Sequence, residues 1–290
     1  MLLKKVPAII LFIWLAFSTV FVMADNIRVI SYGADLTEEQ RDKVYEIFGL
    51  KDQEKKDIAV TEVSNREERK YLQDLVEPEV IGEKAISCAY VKLLGAGDGI
   101  SVKTHNITWV TPEMYASALT TAQVKDAEII AAAPFPVSGT AALTGIFKAF
   151  EAATGRTLNT EAKDLANEEM VRTGEIGESI KNNRKAAEFV IRIKEEVIER
   201  DLSDPEQIRQ VIINISQEMN INLTDKQIEE LVSLMQRING LDLTGIRNQL
   251  EDIRSKLDNL AVQEEGIKGF LRRILDFLAQ ILNSIKNLLS

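Results

Sequence analysis

Along residues 25–157, short β-prone runs alternate with stretches that carry helix-start signals. Ile27-Arg28-Val29-Ile30-Ser31 is the first such run. Leu36-Thr37-Glu38-Glu39-Gln40 follows, with Thr37 placed to cap a helix, Gln40 to reach back to it, and Gly49 to end it. Asp57 to Val63 reads as a second strand. Ser64 to Leu75 reads as a second helix, with Ser64 and Glu67 in the same capping relation. Ile86–Leu94 and Ile100–Val110 flank the turn-forming Gly95-Ala96-Gly97-Asp98-Gly99, which predicts a β-hairpin. Thr111-Pro112-Glu113 opens a helix, since proline in the first turn gives up no intrahelical hydrogen bond. Ala127–Ala133 is apolar apart from Glu128 and predicts a buried strand. Pro134-Phe135-Pro136 follows it, then a helix from about Gly139 to Ala153, closed by Gly155. Alternation of this kind predicts a layered α/β domain over residues 25–157 with at least partly parallel strand pairing.

After Thr160 the strand signals vanish, and residues 158–290 predict an all-helical domain. Ala186, Val190, Ile193 and Val197 share one helix face. Ser203-Asp204-Pro205-Glu206 starts a helix carrying Ile208, Val211, Ile212 and Ile215. Leu223-Thr224-Asp225-Lys226-Gln227 starts another, with Leu223 and Ile228 spaced as a hydrophobic staple and Gly240 at its end. Residues 243–288 are heptad-patterned: Leu243, Ile246, Leu250, Ile253, Leu257 and Leu260, then Ile267, Leu271, Ile274, Leu278, Ile281, Ile285 and Leu288. Gly266 and Gly269, each costing about 1 kcal/mol inside a helix, favour an antiparallel helical hairpin bending near Ala261–Gly266 over one continuous helix. The expected fold class is therefore an N-terminal α/β domain with a β-hairpin, followed by a helical domain with heptad-patterned terminal helices.

The first 24 residues change the picture. Lys4 and Lys5 precede an uncharged, apolar run from Val6 to Met23, which closes on Val22-Met23-Ala24. That is the pattern of a cleavable signal peptide, so residues 1–24 predict export, with an uncleaved anchor that just spans a bilayer as the alternative. Cleavage leaves 33 basic against 45 acidic side chains, a net charge near −12. Such a surface repels phosphate backbones and argues against nucleic-acid partners. A single cysteine, Cys88, forbids an intramolecular disulfide and a cysteine-based metal site, and one histidine leaves no zinc site. No metal and no cofactor are expected.

Three features bear on chemistry. Residues 267–290 form a basic amphipathic pattern, with Lys268, Arg272, Arg273 and Lys286 on the polar face and Phe270 and Phe277 among the apolar positions. It suggests contact with an anionic membrane surface or an envelope protein, or packing into the helical half with its charges solvated. The heptads also allow self-association. Cys88 and His105 both fall on the predicted hairpin; if Leu94 pairs with Ile100, Cys88 faces Asn106 and His105 points to the opposite side of the sheet, which argues against a catalytic dyad, whereas a one-residue slip would bring the two together. Ser138, Gly139 and Thr140 lie between a buried strand and a helix, where backbone N–H groups and hydroxyls suit an anion. Helix capping by those hydroxyls is the plainer reading. Acidic pairs such as Glu38-Glu39 and Glu67-Glu68 sit at helix N-termini, where the helix dipole favours them. No residue is assigned a catalytic role.

Three segments, Gly33-Ala34-Asp35-Leu36-Thr37, Asn106–Tyr115 and Ala133-Pro134 leading into Val137–Gly145, resemble the YpuA-like family. The resemblance covers nearly all of the chain beyond the signal segment. It implies an exported protein of the cell envelope of Gram-positive bacteria and brings no established activity. The expected function is thus a non-enzymatic binding protein at the membrane surface or on a protein partner. An exported hydrolase using Ser138–Thr140, or a self-associating structural protein, are the alternatives.

Overall fold

The computed structural model describes residues 27–73, 75–76, 81–243, 245–257 and 259. The predicted signal peptide, the bend near Ala261–Gly266 and the basic segment 267–290 lie outside the described residues. The strands are β1 (Arg28–Gly33), β2 (Ala59–Val63), β3 (Cys88–Leu93), β4 (Ile100–Ile107) and β5 (Ala127–Val137). The helices are α1 (Glu38–Ile47), α2 (Asn65–Leu72), α3 (Pro112–Thr121), α4 (Thr140–Thr154), α5 (Thr160–Ile180), α6 (Asn183–Glu199), α7 (Pro205–Glu218) and α8 (Asp225–Asn239). A further helical run covers residues 246–257. Among the described residues, no helix is long and apolar enough to cross a membrane.

Helix starts follow the sequence closely. Thr37, Ser64 and Thr224 each form a capping box, with Gln40, Glu67 and Gln227, and Thr111 and Asp204 cap helices whose first residue is proline.

The sheet is mixed, in the order β2-β1-β3-β5-β4. β1 pairs with β2 and β4 with β5 in parallel, and β3 runs antiparallel to both of its neighbours. The expected β3–β4 hairpin is therefore not formed, because β5 lies between the two strands. Two physical reasons account for this. β5 buries residues on both faces (Ala127, Ile129, Ala131 and Ala132), which suits an interior strand, whereas β4 exposes Ser101, Lys103 and His105 and suits an edge. The glycine loop is held across the start of β5: Asp126 Oδ1 accepts from the Gly97 and Gly99 amides, at 3.0 and 2.9 Å, and Leu94 N–H donates to Asp126 O.

Alternation along the strands divides the core between the two faces of the sheet. Ile30, Tyr32, Cys88, Tyr90 and Ala132 pack with Val44, Tyr45 and Phe48 on the α1 side. Val29, Ala89, Val91 and Ile129 pack on the other side against α3 and α4, in a cluster that also takes in Ala166 and Met170 of α5, Ala187 and Ile191 of α6, and Ile253. A second large cluster joins α5–α8 and includes Ile246 and Leu250.

Candidate functional site

β5 runs on through Pro134-Phe135-Pro136 to Val137 and delivers Ser138 to the start of α4. Ser138 O accepts the Trp109 and Val110 amides, and Gly139 O accepts the Tyr115 phenol and the Ala142 amide. Gly139 has φ +99°, and a Cβ there would stand 2.4 Å from Ile107 Cγ2 and 2.7 Å from the Tyr115 hydroxyl. Only glycine fits this backbone and this space.

Gly139 is itself the N-cap of α4, with no side-chain capping hydrogen bond. The hydroxyls expected to cap the helix point elsewhere. Thr140 Oγ1 donates to Glu68 Oε1 at 2.6 Å, and Ser138 Oγ lies 3.3 Å from Thr140 Oγ1, where either can donate. The first amides of α4 are among the four that a helix leaves without internal partners. They border a pocket of about 300 Å³ lined by Ser138, Gly139, Thr140, Glu68, Lys84 and Ser87, with Ile81, Ile86, Val137 and Ala141 as its apolar walls.

Glu68 is the group that sequence reasoning missed. Its neighbour Glu67 does what a first-turn acid is expected to do: it closes the capping box with Ser64 and pairs with Lys148 at 2.6 Å. Glu68 turns inward and is 1% exposed, and Oε2 has no hydrogen-bond partner among the described residues. Burial pushes its carboxyl up from its ordinary range to about 7, against the opposing pull of the Thr140 hydroxyl, the Arg69 charge and Asn65. The available signal was spacing. Glu68 stands four residues before fully buried Leu72, on the inward face of α2.

The opposite wall of the pocket is pinned from two sides. Arg69 donates to Gly82 O at 2.6 Å and to Asn65 Oδ1 at 2.8 Å. Asp35 accepts the Ala85 amide on Oδ2, while Gly33 lies so close to Ala85 that a Cβ would stand 2.2 Å from its carbonyl oxygen. Trp109 fastens the Asn106–Tyr115 stretch to the helices: its indole N–H donates to Glu178, Asn183 donates to its carbonyl, and Gly174 leaves room for the ring. Of the three segments that carry the family resemblance, Asn106–Tyr115 and Val137–Gly145 meet at Ser138–Thr140, and Gly33–Thr37 holds Ala85 in the 81–87 stretch of the pocket wall.

Cys88 and His105 both stand beside Ala132 in the sheet register, and so on the same face rather than opposite faces. They remain two strand spacings apart, about 9.6 Å between backbones, so no dyad forms. Cys88 is fully buried, and burial pushes its thiol up to about 12. Among the described residues no group of three His, Cys, Asp or Glu side chains could hold a metal ion.

A second polar cluster is sealed inside the helices. Lys194 of α6, 0% exposed, donates to Glu169 Oε1, Ser117 O and Ser117 Oγ at 2.8 Å and to Thr121 Oγ1 at 3.0 Å. Burial pushes its ammonium pKa down, and Glu169 pulls it back. With no exposed member, this cluster ties α3, α5 and α6 together rather than meeting a ligand. A smaller apolar hollow of about 150 Å³ between β4, α3 and residues 253–257 has its charged groups engaged already: Lys256 donates to Ile100 O and Asp252, and Glu113 pairs with Arg184.

Residues 32–258 match the DUF1002 family, described as a protein of unknown function. The uncharacterized protein YpuA of Bacillus subtilis (strain 168) is 36% identical over 260 residues, which cover 89% of this chain and 88% of that protein. No solved structure matches the chain.

Proposed function

The chain belongs to the DUF1002 family, the family of YpuA, and we propose that it is a binding protein whose recognition site is the pocket at the start of α4. The ligand carries an oxyanion: a carboxylate, phosphate or sulfate group. One observation carries the reading. α4 opens on left-handed Gly139 without a side-chain cap, so the positive end of the helix borders a pocket instead of a capping oxygen. Two features support it. Lys84 lines the same pocket, and Glu68, the one carboxyl there among the described residues, is pushed up to about 7 by burial, so it need not oppose an anion with a full charge.

We place this role outside the cytoplasm, on the pattern of residues 1–24, with the basic segment 267–290 as a separate contact to an anionic membrane surface or an envelope protein. Sulfate titrated into the protein at about pH 6, where the raised carboxyl is mostly protonated, should shift the amide resonances of Gly139, Thr140 and Ala141, and Ser138→Ala should weaken the effect several-fold. Unmoved amides at these three positions end the pocket reading. The membrane contact is tested separately, by sedimentation with anionic vesicles before and after removal of residues 267–290.

The run Ser138–Thr140–Glu68 supports a second reading, an exported hydrolase in which Glu68 receives the Ser138 proton through Thr140. A fluorophosphonate that labels Ser138, and fails to label the Glu68→Gln protein, would replace binding with hydrolysis.

A further inference from the structure

Each hydroxyl in the run from Glu68 to Ser138 has one proton to give, so an ionised carboxyl, which only accepts, fixes the direction of the run, and a proton on Oε1 reverses it. An ionised Glu68 can only accept. Thr140 then donates to Glu68 Oε1, its oxygen is left to accept, and the Ser138 proton turns inward to meet it. Ser138 faces the pocket with lone pairs. A Glu68 that carries its proton on Oε1 reverses the run: the carboxyl donates to Thr140 Oγ1, Thr140 donates to Ser138 Oγ, and the Ser138 proton is free to point into the pocket. The 2.6 Å separation of Glu68 Oε1 and Thr140 Oγ1 suits either direction.

Resting on the reading of this pocket as an oxyanion site, we propose that Glu68 sets its polarity through Thr140, so that the pocket binds an oxyanion together with a proton and releases both when Glu68 ionises. Glu68 acts here as a positioning residue. It lines the pocket, yet Oε2 is enclosed, and its influence reaches the ligand through the two hydroxyls.

The surroundings leave Glu68 as the group that titrates. On α2, Arg69 lowers its pKa but is held by Asn65 and Gly82, and burial outweighs it. On α4, Lys148 is committed to Glu67 and Glu62 O. From α3, the Tyr115 phenol donates to Gly139 O, and burial pushes its own pKa up, far from this range. Between residues 81 and 87, Lys84 carries the one charge that, among the described residues, lines the pocket beside Glu68. Toward α5, Leu72 and Ile81 pack against Val171, and the charges across that contact, Lys70 and Asp164, act on each other. Burial places the Glu68 transition near about 7, and a bound anion moves it higher.

Sulfate is the probe, because its charge is constant between about pH 5.5 and 8.5, while the linked proton makes affinity fall up to tenfold per unit above the Glu68 transition. Binding is read from the Gly139, Thr140 and Ala141 amides of the full chain. The wild-type protein is expected to bind at least about tenfold more tightly at the acidic end. Glu68→Gln, whose amide nitrogen turned toward Thr140 donates to it at every pH, is expected to keep the tighter affinity at both ends. A readout that does not depend on the variant folding is the carboxyl carbon shift of Glu68 in the wild-type protein, whose midpoint sulfate should raise. Equal pH dependence in the wild-type protein and Glu68→Gln, or a midpoint that ignores sulfate, overturns the coupling and leaves the oxyanion site standing. Amides that do not respond at any pH overturn the site itself.

Discussion

Gly139 and Glu68 concentrate the demands of the site on two side-chain positions. At Gly139 the backbone is left-handed and hemmed in by Ile107 and the Tyr115 hydroxyl. Gly139→Ala should therefore cost about 2–4 kcal/mol, combining αL strain with overpacking, and a thermal melt would show it. Loss under about 0.5 kcal/mol would mean that the turn relaxes without penalty. Glu68 makes an independent prediction about pH. Its folded-state pKa, about 7, lies above its ordinary value of 4.5, so the native state holds a proton that the unfolded state has released. The associated stability is complete below about 4.5 and is lost as pH rises through about 7. Relative to wild type, Glu68→Gln should gain stability across that window, by at most about 3 kcal/mol. Denaturant midpoints of the two proteins at about pH 5 and pH 8 test this, and a constant difference would refute it. The sequence showed only part of the site. Ser138-Gly139-Thr140 stood out because a strand, a glycine and a helix start coincide there. Glu67 and Glu68 look alike in a first turn, and their roles separate only when α4 and the 81–87 stretch pack against the inner one.

Elements were legible wherever local chemistry sets them, and the pairing of elements was not. Capping boxes at Thr37, Ser64 and Thr224 involve residues three apart, so they appear in sequence as they do in space. The sheet order depends on which strand can be buried on both faces, and the glycine loop at 95–99 looks the same whether it joins neighbours or spans an intervening strand. The Asp126 bonds to Gly97 and Gly99 decide it, and they connect residues 27–29 positions apart. The long α5 helix was covered only by the general expectation of helix after Thr160, since it buries Lys163, Asn167 and Glu169 among its apolar positions and so breaks the simple pattern. Glu169 and Lys194 carry a prediction at this scale. Lys194→Met should destabilise the protein by roughly 3–5 kcal/mol, because it leaves Glu169 charged and sealed from water. Adding Glu169→Gln, whose amide still serves Ser117 and Thr121, should recover a substantial part of that loss. Chemical denaturation of both single variants and the double variant closes the cycle, and strictly additive losses would show that the pair is not coupled.

For the whole molecule, the heptad positions of residues 243–257 raised the question of whether they bind another chain or their own. Ile246 and Leu250 enter the core of α5–α8, and Ile253 enters the core shared with the sheet, all three nearly inaccessible. Around them Gln249 donates to Val124 O, Arg247 to Ile198 O, and Arg254 pairs with Glu195. This run straps the two largest hydrophobic clusters together, so the three-and-four spacing of Ile246, Leu250 and Ile253 is that of a helix packed on one face within its own chain. A contact within one chain and a contact between chains answer differently to mass action, because only the second makes the melting temperature depend on protein concentration. Leu250→Ala should cost about 2–5 kcal/mol and lower the melting temperature by roughly 5–15 °C, by the same amount at dilute and concentrated protein. A deficit that shrinks as the protein is concentrated would mean that Leu250 faces a second copy, and the strap would have to be read as an interface.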